Sequence, residues 1–398
     1  MNRLFLSFLL VAFLSGISAC NKALDEPIRS VSNGMRDSAS DIRTVLGASP
    51  FHLFNQAFQR LKLDSAFGVY TILAPTDSVM QAAGLTSSVI DALSIDSLYK
   101  IVAYHTLFNT YNDSVLENSP MSLQAKTLRQ DVYYNQAQNS PGTLIAQTLQ
   151  QSLYIWKKGV LYVNGAPANN GELPLRARNG WIWPVNRLIT APRNTTWEII
   201  QSRPELSMYR TAYQLIDSFY RQTGFYIVYW DTALFSIPAY QNTIIYGSAN
   251  YTFFAPTNNA FARAGFNTVD DIRQYVVKAV PGRDNHNSTG VSYNYIAMDS
   301  VLKEHFLGGV NTLMYQDLLT PAVNNGWSNT NSWMVTAYQA APWINPYYPQ
   351  FSGHNGTVNI QYSRDPSVPP AVLPPDKASY LAVNGIVYEV DQLFYPHN

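Results

Sequence analysis

Cysteine is nearly missing from this chain, and that absence excludes a good deal. Cys20 is the single one in 398 residues, so the chain holds neither an internal disulfide nor a thiolate metal cluster. Charge is scarce as well: 13% of residues are charged and the formal net charge is +0. Without a basic surface to neutralise phosphates, nucleic acid is not an expected partner. The sequence has no G-x-S-x-G elbow, no H-E-x-x-H, no G-x-x-x-x-G-K-[ST] and no G-x-G-x-x-G after a strand, which leaves the common nucleophile, zinc and nucleotide chemistries without a signature. With six histidines, the reading is that of a protein without an enzymatic site, a cofactor or a metal. A carboxylate pair assembled across the fold, as in glycoside hydrolases, leaves no such motif and stays open. The abundant residues are aromatic: 13% of the chain, with 27 Tyr among Gly, Asn and Pro. That mixture favours strands and work outside the cytoplasm.

The N-terminus reads as a processing signal. Arg3 precedes a largely apolar run from Leu4 to Leu14, too short to span a bilayer. Ile17-Ser18-Ala19-Cys20 follows and resembles a bacterial lipobox, which implies cleavage after residue 19 and lipidation of Cys20. The polar stretch 20–35 reads as a flexible tether. Asp25 and Glu26 within it resemble the acidic surface-export signal of Bacteroidota lipoproteins. The expected location is the outer membrane, lipid-anchored and surface-exposed.

The rest of the chain is written twice. "YTILAPTDSVMQAAGL" at 70–85 aligns without gaps with "YTFFAPTNNAFARAGF" at 251–266. "VAYHTLF" at 102–108 faces "LKEHFLG" at 302–308, and "NGWIWPVNRLI" at 179–189 faces "NGIVYEVDQLF" at 384–394. Order is kept while loops grow in the second copy, so a whole domain is duplicated. Phe51, Phe54, Phe58 and Leu61 in one copy, and Tyr209, Tyr213, Ile216 and Tyr220 in the other, repeat at helical spacing. Short β-rich runs stopped by Ala-Pro-Thr follow, with Thr76 and Thr257 placed to cap the next helix. Gly84 and Gly265 read as left-handed C-caps, and Thr268 with Asp271 as a capping box. Alternation in Trp181, Trp183 and Val185, and in Ile386, Tyr388 and Val390, suits strands with one face buried.

The boxes "TILAPTDSVM" with "NGWIWPVNRLITAP", and "TFFAPTNNAF" with "NGIVYEVDQLFYP", resemble the two landmark motifs of the fasciclin family. The resemblance implies an α+β fold of two tandem domains, at 36–193 and 194–398, each a strand-rich wedge or sandwich flanked by short helices. It also implies adhesion or extracellular ligand binding rather than catalysis. Tyr104-His105 resembles the family's Tyr-His motif for integrin contact, although the second copy carries Glu304 before His305. The alternative for such a His is a buried ring that bonds backbone and fixes a loop.

Further candidates lie in the enlarged loops of the second copy. Segment 323–356 holds Trp327, Trp333, Trp343, Tyr347 and Tyr348. Alternation puts Trp333 inward with Val335, while Trp327, Trp343, Tyr347 and Tyr348 are candidates to stack on sugars or anchor a protein. The competing reading has them cover the domain's own core. Asp284, Asn285 and His286 are a weaker cluster with no calcium-loop pattern. Asp270 and Asp271 read as helix-start residues. The expected partners are a glycan or a matrix protein, with the membrane reached through the lipid anchor. A structural accessory subunit of an outer-membrane complex of glycan-uptake type is the alternative.

Overall fold

The computed structural model of the chain describes residues 40–63, 68–136, 144–223, 250–276, 279–286, 292–296, 298, 301–302, 305–309, 312–320, 334–336, 350–361, 367–375 and 379–394. In chain order its helices are α1 (Ile42–Gly47), α2 (His52–Arg60), α3 (Asp77–Ala82), α4 (Ser87–Ala92), α5 (Ile95–Tyr104), α6 (Asp113–Glu117), α7 (Thr196–Ser202), α8 (Ser207–Thr223), α9 (Asn258–Arg263), α10 (Val269–Val276) and α11 (Tyr315–Leu318). Its strands are β1 (Tyr70–Pro75), β2 (Thr106–Phe108), β3 (Leu123–Gln136), β4 (Leu144–Lys158), β5 (Val160–Val163), β6 (Ala166–Pro167), β7 (Leu175–Ala177), β8 (Gly180–Val185), β9 (Asn250–Pro256), β10 (Ala279–His286), β11 (Ser292–Ile296), β12 (Phe306–Gly309), β13 (Met334–Thr336), β14 (Gln350–His354), β15 (Thr357–Gln361), β16 (Ala371–Leu373), β17 (Ser379–Ala382) and β18 (Gly385–Val390). This is an α+β chain of short helices around strand-rich sheets.

The described residues form two compact units. Those up to Leu98, with Thr106–Asn112 and Glu172–Leu188, make the first; Tyr99–His105, Asp113–Gly171 and those from Ile189 onward make the second. In the first unit the strands run in the order β2-β1-β8-β7. β1 is parallel to β8 and antiparallel to β2. Helix α2 buries Phe54, Ala57 and Phe58, the apolar stripe read from its spacing, in a core with Ile72, Leu73, Met80 and Trp183. In the second unit β9 repeats this pattern, parallel to β18 and antiparallel to β12, in the order β13-β12-β9-β18-β17. The same unit holds the order β6-β5-β4-β3, built on the long hairpin of β3 and β4, and the smaller sheets β14-β15-β16 and β10-β11.

The duplication extends to the wiring, pair by pair. Thr76 caps α3 and Thr257 caps α9 through the same side-chain oxygen. Asp77 accepts from the Leu53 amide at 2.9 Å and so closes the start of α2; Asn258 does the same for Met208 and α8, also at 2.9 Å. Asn179 accepts from the first amide of α1, Ile42, at 2.8 Å, and Asn384 from the first amide of α7, Thr196, at 2.8 Å. Buried Thr71 takes the Tyr111 amide, and buried Thr252 the Leu313 amide. Each bond satisfies a helix-end or loop amide that burial would otherwise leave costly. Local expectations hold too: Gly84 and Gly265 have φ of 77° and 93°, and Thr268 and Asp271 form a reciprocal box.

Expectation and structure part at the closing strands. Alternation in β8 and β18 suggested one buried face, but β18 is buried at every position, and in β8 only Trp181 and Pro184 reach partial exposure. Both strands sit inside their sheets with a parallel neighbour, and parallel strands are covered on both faces.

Glycines make that parallel pairing possible. A Cβ at Gly180 would fall 2.2 Å from the Tyr70 carbonyl oxygen, and one at Gly385, where φ is +152°, 2.1 Å from that of Tyr251. No side chain fits without moving the strand. Gly385→Ala is therefore expected to cost more than about 3 kcal/mol or to prevent folding. Gly84→Ala, with open space around the missing atom, is expected to cost only about 1–2 kcal/mol of backbone strain. Urea midpoints of the two variants compare the costs directly, and equal losses would contradict the assignment.

Candidate functional site

Tyr104 and His105 close helix α5, and both are fully buried. The His105 Nδ1 lies 2.9 Å from the Ile101 carbonyl, one turn back, and its Nε2 accepts from the Ile189 amide at 3.1 Å. A carbonyl only accepts and an amide only donates, so the ring is the neutral tautomer with its proton on Nδ1. The Tyr104 hydroxyl donates to the Ser152 carbonyl and receives Asn164 Nδ2, and the Arg129 guanidinium lies over its ring at 5.7 Å. This Tyr-His pair is part of the frame, with neither ring displayed on the surface.

The second copy repeats the device. Buried His305 donates from Nδ1 to the Phe254 carbonyl at 2.8 Å and accepts the Phe394 amide on Nε2 at 2.9 Å. Ile189 and Phe394 each lie four residues beyond the end of the closing strand, at Val185 and Val390. Each histidine thus pins the chain that leaves that strand. The Phe394 ring stacks on His305 at 4.5 Å, and Tyr209 meets it edge-on at 6.2 Å. Burial pushes the His305 pKa down to about 3, because a charged imidazole there would lose its water.

A buried polar seam lies elsewhere in the second unit. Asp317, with no exposed surface, accepts the Ser122 and Met314 amides at 2.7 and 2.8 Å. Burial pushes its carboxyl upward against those two amides. Nearby, the Tyr154 hydroxyl donates to Thr312 at 2.9 Å, and Gln316 Nε2 to the Gly165 carbonyl at 2.5 Å. Tyr154 itself packs with Phe254, Leu313, Tyr388 and Phe394. Residues from β4 and its flanks therefore share one core with the second copy's sheet.

The fold also brings two carboxylates together, which no motif announced. Glu205 and Glu389 meet at one arginine. Arg203 pairs with both, 3.2 Å from Glu389, and its guanidinium lies 4.5 Å from the Tyr380 ring centre. Burial first, and then the Glu205 charge, push Glu389 upward; Glu205 is held low, mainly by its own backbone N–H. Their separation by 184 positions (389 − 205) explains why the sequence concealed them.

Cys20, Trp327, Trp333, Trp343, Tyr347 and Tyr348 lie outside the described residues. The segment from Asp284 to His286 forms the end of β10, paired with β11, and among the described residues no group of His, Cys, Asp and Glu is arranged to hold a metal. No described helix is long and apolar enough to cross a membrane.

Residues 49–191 match the fasciclin domain family. The matched segment starts just before α2 and ends just past Ile189, so it takes in β1, His105 and the chain that His105 pins. Among solved structures, the chain is similar to a FAS1 domain pair from the insect cell adhesion molecule fasciclin I, at 12% identity over 87% of this chain and 96% of that one, with a TM-score of 0.32. No curated protein sequence matches the chain.

The His305 pin predicts a response to acidification. Unfolded, His305 takes a proton near pH 6.5; folded, it resists until about pH 3. Its contribution to stability is complete above pH 6.5 and falls by about 1.4 kcal/mol per pH unit as pH drops through that window. His305→Gln should be less stable at pH 7.5 and should lose that slope, measured by urea titration from pH 7.5 to 3.5. An unchanged slope in the variant would refute the neutral buried ring. His105→Ala, which orphans the buried Ile189 amide and leaves a cavity where the ring was, should cost about 2–4 kcal/mol.

Proposed function

We propose that the protein is a non-catalytic binding module of the cell envelope, carrying fasciclin domains at 36–193 and 194–398 and anchored by a lipid on Cys20. The family match over 49–191 supports the first domain, and the shared wiring of Asn179 and Asn384, Gly180 and Gly385, and His105 and His305 supports the second. One observation carries the functional reading. Most of the polar residues the two copies share, such as Thr71 and Thr252, Asn179 and Asn384, and His105 and His305, are engaged with the chain's own backbone, so they build a frame. Ligand contact is left to the segments in which the copies differ, and loops on a rigid frame are where specificity is placed.

The largest such difference is the aromatic segment 323–356 of the second copy, with Trp327, Trp343, Tyr347 and Tyr348. Flat rings beside Asn and Gln suit sugar faces or a matrix protein. An adhesive or ligand-binding role at the outer surface follows from this reading.

The test is a glycan and matrix-protein array probed with the chain beginning after Cys20, beside a Trp343, Tyr347 and Tyr348 triple alanine variant. Binding by the parent that falls at least tenfold in a variant with an unchanged melting temperature is the expected result. If neither protein bound any spot while the parent co-purified with an outer-membrane protein, the role would be that of an accessory subunit.

A further inference from the structure

The edge of the first unit's sheet carries three N–H donors that are shielded from solvent and bonded to nothing. They are Nε and Nη2 of Arg176 and Nε1 of Trp181. Arg176 on β7 is the direct cross-strand partner of Trp181 on β8, so both side chains leave the same face of the sheet. The guanidinium carbon lies 5.9 Å from the Trp181 ring centre. Continuing inward, the row passes from Trp181 to Thr71 and then Leu107. Thr71 and its neighbours are fully engaged: Thr71 bonds Asn109 and Tyr111, and Trp183 Nε1 donates to the Tyr111 carbonyl at 2.8 Å. Only the outer end of the row lacks acceptors.

Elsewhere the chain supplies such groups. Arg129 Nε meets both Asp131 oxygens, at 3.2 and 2.9 Å, and Trp156 Nε1 reaches the Ser119 carbonyl at 3.0 Å. A shielded guanidinium edge without an acceptor is costly, since Arg cannot shed its proton. Such a group in a folded protein calls for a reason.

We propose that Arg176 and Trp181 form a binding site for a carboxylate. Nε and Nη2 are adjacent on one edge of the planar guanidinium, and their parallel N–H bonds match the two oxygens of a carboxylate in a bidentate pair. A carboxylate has lone pairs left over for a third donor, which the indole Nε1 provides. The two residues are themselves partly exposed, and Arg176 lies on the sheet's edge strand β7, just after solvent-facing Leu173, 67% exposed. A ligand reaches the three shielded donors by displacing what covers them at this edge, with the sheet itself left paired. The proposal is independent of the aromatic segment and of the adhesive reading.

The test uses the full chain in detergent, labelled with 15N-tryptophan, with the Trp181 indole signal assigned through Trp181→Phe. Glucuronate and N-acetylalanine are titrated in turn, with glucose and sulfate as controls. The expected result is a saturable shift of the Trp181 indole proton with one or both carboxylates, none with glucose, and at least tenfold weaker binding of sulfate. The carboxylate acting at lower concentration identifies the source as a sugar acid or a peptide end. Arg176→Lys, which keeps the charge and loses the fork, should weaken binding about tenfold or more. Without ligand, Arg176→Met should melt no lower than the parent, because it removes an unmet charge and keeps the stem. A Trp181 signal unmoved by both carboxylates, moved equally by sulfate, or unaffected by Arg176→Lys would overturn the proposal. So would marked destabilisation in Arg176→Met, which would make the arginine a structural member.

Discussion

The closest approach in each copy is that of the closing strand to the first strand, and the rest of the architecture depends on it. At Gly180 and Gly385 the backbone comes so near the Tyr70 and Tyr251 carbonyls that a Cβ has no space. The parallel ladder then runs from that point to Pro75 and Pro256, and the next amides, of Thr76 and Thr257, close it on the Val185 and Val390 carbonyls. The asparagine before each glycine uses the same approach twice. Its carbonyl takes the first strand's amide, and its side chain takes the first amide of a distant helix. An Asn-Gly pair therefore sets strand register and helix position together.

Local chemistry was legible in the sequence because it acts over three or four residues. Thr76 and Thr257 as caps, Gly84 and Gly265 as left-handed turns, and the Thr268–Asp271 box needed only neighbours to be recognised. The amphipathic stripe of α2 was legible for the same reason. The double-sided burial of β18 was not, because alternation cannot show what lies on the far face. Nor were the buried Asp317 or the meeting of Glu205 and Glu389 at Arg203. Their partners are supplied by chain segments far away in sequence, and a carboxylate surrounded by ordinary loop residues carries no signal until the fold closes around it. Of the candidate residues, Tyr104 and His105 were visible as a motif, yet burial and backbone bonding were one of two readings there. The Arg176–Trp181 pairing depends on the register of a three-residue strand, which no sequence pattern specified.

Duplication also separates frame from function in a way a single domain could not. Where the two copies agree, the shared residue is engaged inward: Thr71 and Thr252 with loop amides, Asp77 and Asn258 with helix starts, His105 and His305 with the exit from the closing strand. Agreement between copies is thus accounted for by folding alone. What the proposed binding requires has to be sought where they disagree, in Arg176 and Trp181 of the first copy and in the long segments following β12.

The two histidine pins are themselves unequal, and the inequality bears on those segments. His105 ties its own helix to the outgoing chain, since its Nδ1 partner is Ile101. His305 reaches across to β9, holding Phe254 with both its side chain and its backbone carbonyl, while Phe394 stacks on the ring. Three segments meet at one neutral, desolvated imidazole. β12 starts at the very next residue, and from its far end the chain departs toward the aromatic segment. A loop root fixed by buried hydrogen bonds loses little further entropy when the loop meets a ligand. The imidazole that joins three segments thus belongs to the copy that carries the longer loops.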